Sequence, residues 1–253
     1  MVAVYQLLIL IHVPSALGFS IIFLTIIIRL ILYPLMHQSL RQQKKMQQLT
    51  PHINKLKEKH KNDAKRLQME QMALFKEHGV NPASGCLVMI IQIPILIALY
   101  NVLLLVVRST SIQAINSRLY FNFLKLNEMW NTNFFGIPLA HTPKDLLGTI
   151  GYGIILVSVL TGALQLIQSR MMMSPSADMP KQDKKKTDEP DFATAFQTQS
   201  MYILPVMVGF FSFSLPFGLS LYWNTLTIFG IIQQYIISGW GGLVDWLPFL
   251  KKS

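Results

Sequence analysis

The chain has no acidic residue inside any of its long apolar runs: all 12 Asp plus Glu lie between or beyond them. That absence excludes a proton-coupled transporter, whose spanning helices carry relays of Asp, Glu or His. The six histidines (His12, His37, His52, His60, His78, His141) also lie outside the runs or at their edges. Paired membrane aspartates, a serine with a membrane histidine and an HExxH motif are all missing, so an intramembrane protease is excluded. No glycine loop of the phosphate-binding kind occurs, so no ATP site is expected. The single cysteine, Cys86, rules out an internal disulfide and a cysteine-based zinc cluster, and reads as an apolar filler. With no cysteine near the start, no lipoprotein anchor is expected, and nothing before Tyr5 resembles a basic signal region or an Arg-rich presequence. The expectation is a protein without catalytic residues, metal or cofactor, and not an enzyme.

What the chain does have is apolar length. Its 253 residues are 51% hydrophobic and 13% charged, a balance that points to an integral membrane protein. Apolar runs able to cross about 30 Å of hydrocarbon recur near Pro14 to Leu35, Leu87 to Val107, Leu146 to Gln168 and Phe217 to Ile237. A fifth, Met201 to Leu215, is shorter and abuts Pro216 and Gly218, which read as a tight turn into the last span. The expected fold class is an all-α integral membrane protein with five transmembrane helices, at 14–36, 86–107, 146–169, 200–215 and 217–237. Residues 1–13 read as an outer interfacial helix, with extension of the first span as the alternative, since proline is tolerated in a first helical turn.

Charge orients these spans. Of the 22 Lys plus Arg, ten lie between His37 and Pro82, five between Arg170 and Gln197, and two at Lys251 and Lys252. Five spans put those segments on one side, and only Arg108, Arg118, Lys125 and Lys144 face the other. By the positive-inside rule the N-terminus is outside and the C-terminus cytoplasmic. The net charge of +10 therefore reads as an orientation signal, with no sequence-specific nucleic acid as partner.

The cytoplasmic segment 37–82 carries a helical-hairpin pattern. Met46, Leu49, Ile53 and Leu56 form one apolar stripe, the turn falls at residues 60–63, and Leu67, Met72, Leu74 and Phe75 form a facing stripe with Gly79 as C-cap. Thr50-Pro51 reads as an N-cap with proline at N1, so the first arm bends or restarts there. The extracytoplasmic loop 108–145, rich in Asn and aromatics, is expected to skim the membrane surface. The loop 170–199 mixes both charges with proline and reads as mobile. Gly148, Gly151, Gly153, Ser158 and Gly162 in the third run permit close helix packing. The tail 238–253 carries Trp240 and Trp246 as expected interfacial anchors.

One residue breaks the apolar pattern decisively. Arg29, within IIFLTIIIRLILYPL, is the only charge in any expected span, and an arginine at depth costs at least about 2.5–3.5 kcal/mol on insertion scales. Such a residue faces a protein interior or a wet cavity. Polar companions are few: Gln92 and Asn101, Gln165, and Asn224, Gln233 and Gln234, with Tyr222 and Trp223 beside them. Each amide taken singly is explained by hydrogen bonding to a neighbouring helix. Gln92 and Arg29 both fall near the cytoplasmic ends of their spans, as one polar pocket in the inner leaflet would require.

At these residues the chain resembles the YidC-type membrane protein insertases of the YidC/Oxa/Alb superfamily. The resemblance rests on TIIIRLILYPL at Thr25 to Leu35, TPHINKLKEKHKND at Thr50 to Asp63, LFKEHGVNPASGC at Leu74 to Cys86, IIQIPILIALY at Ile90 to Tyr100 and LPFGLSLYWNTLTIFGIIQQ at Leu215 to Gln234. It implies five helices around an inner-leaflet hydrophilic groove, open to cytoplasm and lipid and closed to the outside. Arg29, Gln92 and Trp223 match groove positions of the family; Asn224, Gln165 and Gln233 are added from their place in the spans. The family's Pro-Ala-Gly before the last span is Pro216-Phe217-Gly218 here. The implied activity is insertion and folding of nascent membrane proteins in a bacterial plasma (inner) membrane. The implied partners are the lipid bilayer, the Sec translocon, the ribosome and the signal-recognition machinery. A small-solute channel or transporter is the alternative, and a structural assembly factor a weaker one; the concentration of polar residues toward the cytoplasmic half favours a groove that stops midway.

Overall fold

A computed structural model describes residues 1–60, 63–81, 84–108, 111–117, 119, 121–173, 199–247 and 249. Most of the expected mobile loop 170–199, residues 61–62 of the hairpin turn at 60–63 and the terminal lysines fall outside them, as does the side chain of Cys86. The described chain is helical almost throughout: α1 (Val2–Leu10), α2 (Ala16–Ile31), α3 (Tyr33–Gln48), α4 (Thr50–Lys59), α5 (Ala64–Glu77), α6 (Ser84–Arg108), α7 (Ile112–Asn116), α8 (Pro143–Ile150), α9 (Ile155–Met171), α10 (Leu204–Ser214) and α11 (Phe217–Ser238). One two-residue antiparallel ladder, β1 (Asn133–Phe134) with β2 (Ile137–Pro138), interrupts them.

Length and apolarity taken alone qualify one stretch, Tyr152–Met171, as a full membrane span among the described residues; α2 joined to α3 qualifies as a broken pair, and Ile90–Leu105 and Met201–Ser214 are shorter apolar helices. The apolar run beginning at Leu146 is not one helix. Gly151, at φ 86°, separates α8 from the stretch that follows, a backbone conformation glycine adopts without cost.

Contacts divide the chain into two compact units. The first comprises Met1–Leu32, Ile91–Leu164 and Val206–Phe229. Its core gathers Leu17 and Ile21 of α2, Leu103 of α6, Leu139, and Leu219 and Tyr222 of α11. α1 is a separate helix. It ends before His12 and Ser15, both at positive φ, and packs Tyr5 and Leu8 inward, with Tyr5 stacked on Trp130 at 5.2 Å. The loop after α6 does more than skim a surface: it buries Ile115, Leu126, Trp130 and Leu139. Its β1–β2 turn, Phe135-Gly136, has φ of 48° and 85°, and sets Phe134 against Gly18, where an added Cβ would lie 2.0 Å from the ring. The same loop supplies carbonyls to the start of α11, with Phe217 N donating to His141 O and Gly218 N to Leu139 O, both at 2.8 Å. Those bonds satisfy amides that a helix start otherwise leaves open. Between α9, α10 and α11, Ser212 donates to Thr161 at 3.2 Å and pairs with Ser220 at 2.8 Å, while Gly209 permits close approach to the Ser158 carbonyl.

The second unit comprises Tyr33–Ile90, Gln165–Pro205 and Gly230–Ser253. α4 starts at Thr50 with Leu49 as its N-cap, one residue earlier than the Thr-Pro signal suggests; helix ends shift by that much between criteria. Asp63 caps α5 by accepting from Arg66 N at 2.9 Å. At its other end Gly79, at φ 61°, allows Val80 N to reach Phe75 O and Gly79 N to reach Lys76 O, a Schellman closure. The facing stripe of α5 differs from the expected one. Met72 is exposed and Gln71 is buried with Leu67, because positions four apart share a face and five apart do not. Between α4 and α5, Glu70 pairs with Lys59, His60 and Arg66.

The tail of this unit is held by α9. Arg170, buried at the last turn of α9, pairs with Asp245 at 2.7 Å and lies 5.2 Å from the Trp246 ring. Gly242 N donates to Met173 O, and Gly241 sits where a Cβ would be 1.9 Å from Met171 O. Trp246 and Trp240, the latter against Tyr235 at 4.6 Å, thus have protein partners.

Candidate functional site: a buried arginine between α2, α6 and α11

In α2 the buried positions Leu17, Ile21, Thr25 and Arg29 succeed one another every four residues. That spacing keeps them on one face. Arg29 is therefore the last residue of the stripe that α2 turns into the first unit. The hydroxyls above it are satisfied within the helix, Thr25 to Ile21 O at 2.6 Å and Ser20 to Ala16 O at 2.7 Å.

Arg29 is 8% exposed. Its Nη2 donates to the backbone carbonyl of Leu226 on α11 at 3.2 Å, and its Nε is buried without a partner among the described residues. It has no carboxylate partner among them either. One turn before Leu226, and so on the same face of α11, Tyr222 is buried. The Gln92 side-chain amide of α6 donates to the Tyr222 phenol. Three helices thus converge on one polar cluster, Arg29, Gln92 and Tyr222, set beside the apolar core.

Trp223 follows Tyr222 on α11, is half-buried and makes contacts of its own. Asn224 stands about 200° round the helix from Tyr222, on the side of Ser220 rather than of Arg29, and its Oδ1 is buried without a partner. Gln165 and Gln233 belong to the second unit; Gln233 is buried, its Nε2 without a partner among the described residues. Of the six residues named from the sequence, the structure joins Arg29 and Gln92 through a seventh. Tyr222 was visible beside Trp223, yet a tyrosine in an apolar run carries no signal that its hydroxyl accepts from an amide on another helix. The donors here, a guanidinium and an amide, suit an anionic or hydrogen-bond-accepting peptide group. The described residues hold no cluster of three potential metal ligands.

Comparison with known proteins bears on this arrangement. The family model described as 60Kd inner membrane protein matches residues 9–241. The membrane protein insertase YidC of Fusobacterium nucleatum subsp. nucleatum is 33% identical over 87% of this chain and 85% of its own length. The membrane protein insertase MisCA of Bacillus subtilis is 34% identical over 93% of this chain and 72% of its own, and the chloroplastic inner membrane protein ALBINO3 of Arabidopsis thaliana 32% identical over 92% and 48%. The chain spans only 33% of the longer insertase of Geobacter sulfurreducens. The matched region runs from α1 to the tail and includes every residue of the Arg29 cluster, and the chain belongs to the 60Kd inner membrane protein family.

Proposed function

We propose that this chain, a membrane protein insertase, works by drawing the polar outer segment of a client into a half-membrane groove at Arg29. The reading places five spans at 14–36, 86–107, 146–169, 200–215 and 217–237, in a bacterial inner membrane with the N-terminus outside. At about 1.5 Å per residue α11 reaches roughly 33 Å and α2 about 24 Å, so α2 relies on the turns flanking it. The observation that carries the proposal is the state of Arg29: a buried guanidinium with one carbonyl acceptor and, among the described residues, an unpartnered Nε and no carboxylate. Buried charges are ordinarily paired, and a charge held unpaired suits a transient anionic partner.

An acidic client segment at about 4 Å from Arg29 would gain roughly 4 kcal/mol at an effective dielectric near 20, before desolvation. That suffices to capture the segment without retaining it. The client's apolar helix then partitions into lipid while its polar end moves outward. Gln92 and Tyr222 supply further polar contacts in the proposed lining, with Trp223 the next residue of α11. The basic hairpin α4–α5 and the tail would meet the ribosome, the Sec translocon and signal-recognition machinery.

Reconstitution in liposomes with a single-span client bearing an acidic outer tail tests this, scored by protease protection. Wild type inserts, Arg29→Ala fails and Arg29→Lys largely recovers. Equal insertion by all three would remove charge from the mechanism.

A further inference from the structure

The second unit contains a cavity of about 390 Å³ lined by His37, Arg41, Lys44, Lys45, Gln48, Ile236 and Ile237. It lies where α3, from its second turn to its C-terminal end, meets the last turn of α11. We propose that this cavity is a binding site for the phosphate-bearing headgroup of an anionic phospholipid.

Charge is the first argument. Three of the seven lining residues, Arg41, Lys44 and Lys45, are cationic, and neither Tyr33–Gln48 nor Phe217–Ser238 contains a single Asp or Glu. A concentration of like charge without local counter-ions attracts an anion. Lys44 is already engaged, donating from Nζ to Ile237 O at 3.1 Å. It supplies the cation that the C-terminal end of α11 lacks within its own last turn. Arg41 and Lys45 are exposed and make no ion pair among the described residues, and the Nδ1 of His37, a ring stacked on Tyr33, is buried without a partner. The Arg41 and Lys45 side chains are available to phosphate oxygens.

Shape and polarity select a lipid over free phosphate. Two isoleucines of α11, Ile236 and Ile237, also line the cavity. Ile236 continues one turn back to Ile232, and both are strongly exposed on α11. A basic cavity opening onto an exposed isoleucine track matches an amphiphile, head in the cavity and acyl chain along the helix. Inorganic phosphate would use the first part alone. Basic pockets beside spanning helices are known receivers of anionic headgroups.

Native mass spectrometry of the full chain in detergent, titrated with short-chain phosphatidylglycerol, phosphatidylcholine of equal chain length or inorganic phosphate, tests the assignment. Phosphatidylglycerol is expected to be retained at least tenfold more tightly than phosphatidylcholine. Arg41→Gln with Lys45→Gln should weaken it by about tenfold or more. Lys55→Gln with Lys65→Gln removes the same charge from exposed positions on α4 and α5 and should leave retention unchanged; circular dichroism melts show that both double variants are folded. Equal retention of the two lipids, equal loss in both double variants, or displacement by inorganic phosphate as readily as by lipid would each overturn the proposal, the last in favour of a free-phosphate site.

Discussion

The Arg29 guanidinium donates from Nη2 to the main-chain carbonyl of Leu226, 197 positions later in the chain, at 3.2 Å. The acceptor is a peptide group, whose partial charge orients the arginine without neutralising it. A carboxylate in that place would lock the charge into a structural pair. The carbonyl leaves most of the guanidinium's hydrogen-bonding capacity for something else.

Arg29→Met follows from this directly. Exchanging a buried, poorly paired charge for an apolar side chain of similar length is expected to stabilise the fold by about 1–3 kcal/mol while abolishing insertion of acidic-tailed clients. A thermal melt in detergent and the liposome assay, run on the same preparation, check the two halves. A destabilised variant would show that Arg29 serves packing first.

Tyr222→Phe removes the acceptor of the Gln92 amide and leaves that amide unpaired at the half-buried face of α6. The expected cost is about 1–3 kcal/mol. Gln92→Leu added to Tyr222→Phe should cost less than the sum of the two single changes. A double-mutant cycle on denaturant unfolding measures that coupling, and strict additivity would deny the contact.

Gly18 and Gly241 are both positions where a Cβ has no room, yet they should fail differently. At Gly18 the obstacle is the Phe134 ring, which can swing aside, so Gly18→Ala should cost about 1–3 kcal/mol and be partly relieved by Phe134→Ala. At Gly241 the obstacle is the Met171 carbonyl and φ is +53°. Gly241→Ala should release the tail, seen as lost hydrogen-exchange protection over residues 241–247 and unrelieved by any side-chain truncation.

Asp145 gives a pH signature outside the spans. The side-chain and backbone hydrogen bonds with Thr142 hold its carboxyl below the ordinary value, with smaller help from His141 and Lys144. A depressed folded-state value means the cap contributes fully above the unfolded-state pKa of about 3.9 and is lost as pH falls through the lower, folded one. Exchange protection of α8, corrected for intrinsic rates, should therefore fall on acidification below about pH 4. Asp145→Asn should flatten that dependence.

Sequence legibility varied with the range of the interaction. The hairpin in 37–82, its Gly79 closure and the singularity of Arg29 are local, and periodicity or composition exposes them. The exchange of Met72 for Gln71 on the buried stripe of α5 was hidden because hydrophobicity ranks a methionine above a glutamine, whereas helical phase decides which one faces the partner. Asn224 shows the same limit: it is polar and mid-helix, yet α11 turns it to Ser220's side.

By itself the sequence determined the helical class, the family and the one charge that an apolar helix must shelter, since each depends on residue type and on spacing along a single element. Tertiary structure decided what Arg29 and Gln92 meet. Leu226 O and the Tyr222 hydroxyl come from a helix some 130 to 197 positions away, and the packing of α2, α6 and α11, driven by burial of Leu17, Ile21, Leu103 and Leu219, brings those acceptors within reach. A carbonyl has no residue signature. Its role as the partner of a buried charge arises only when the core places it there.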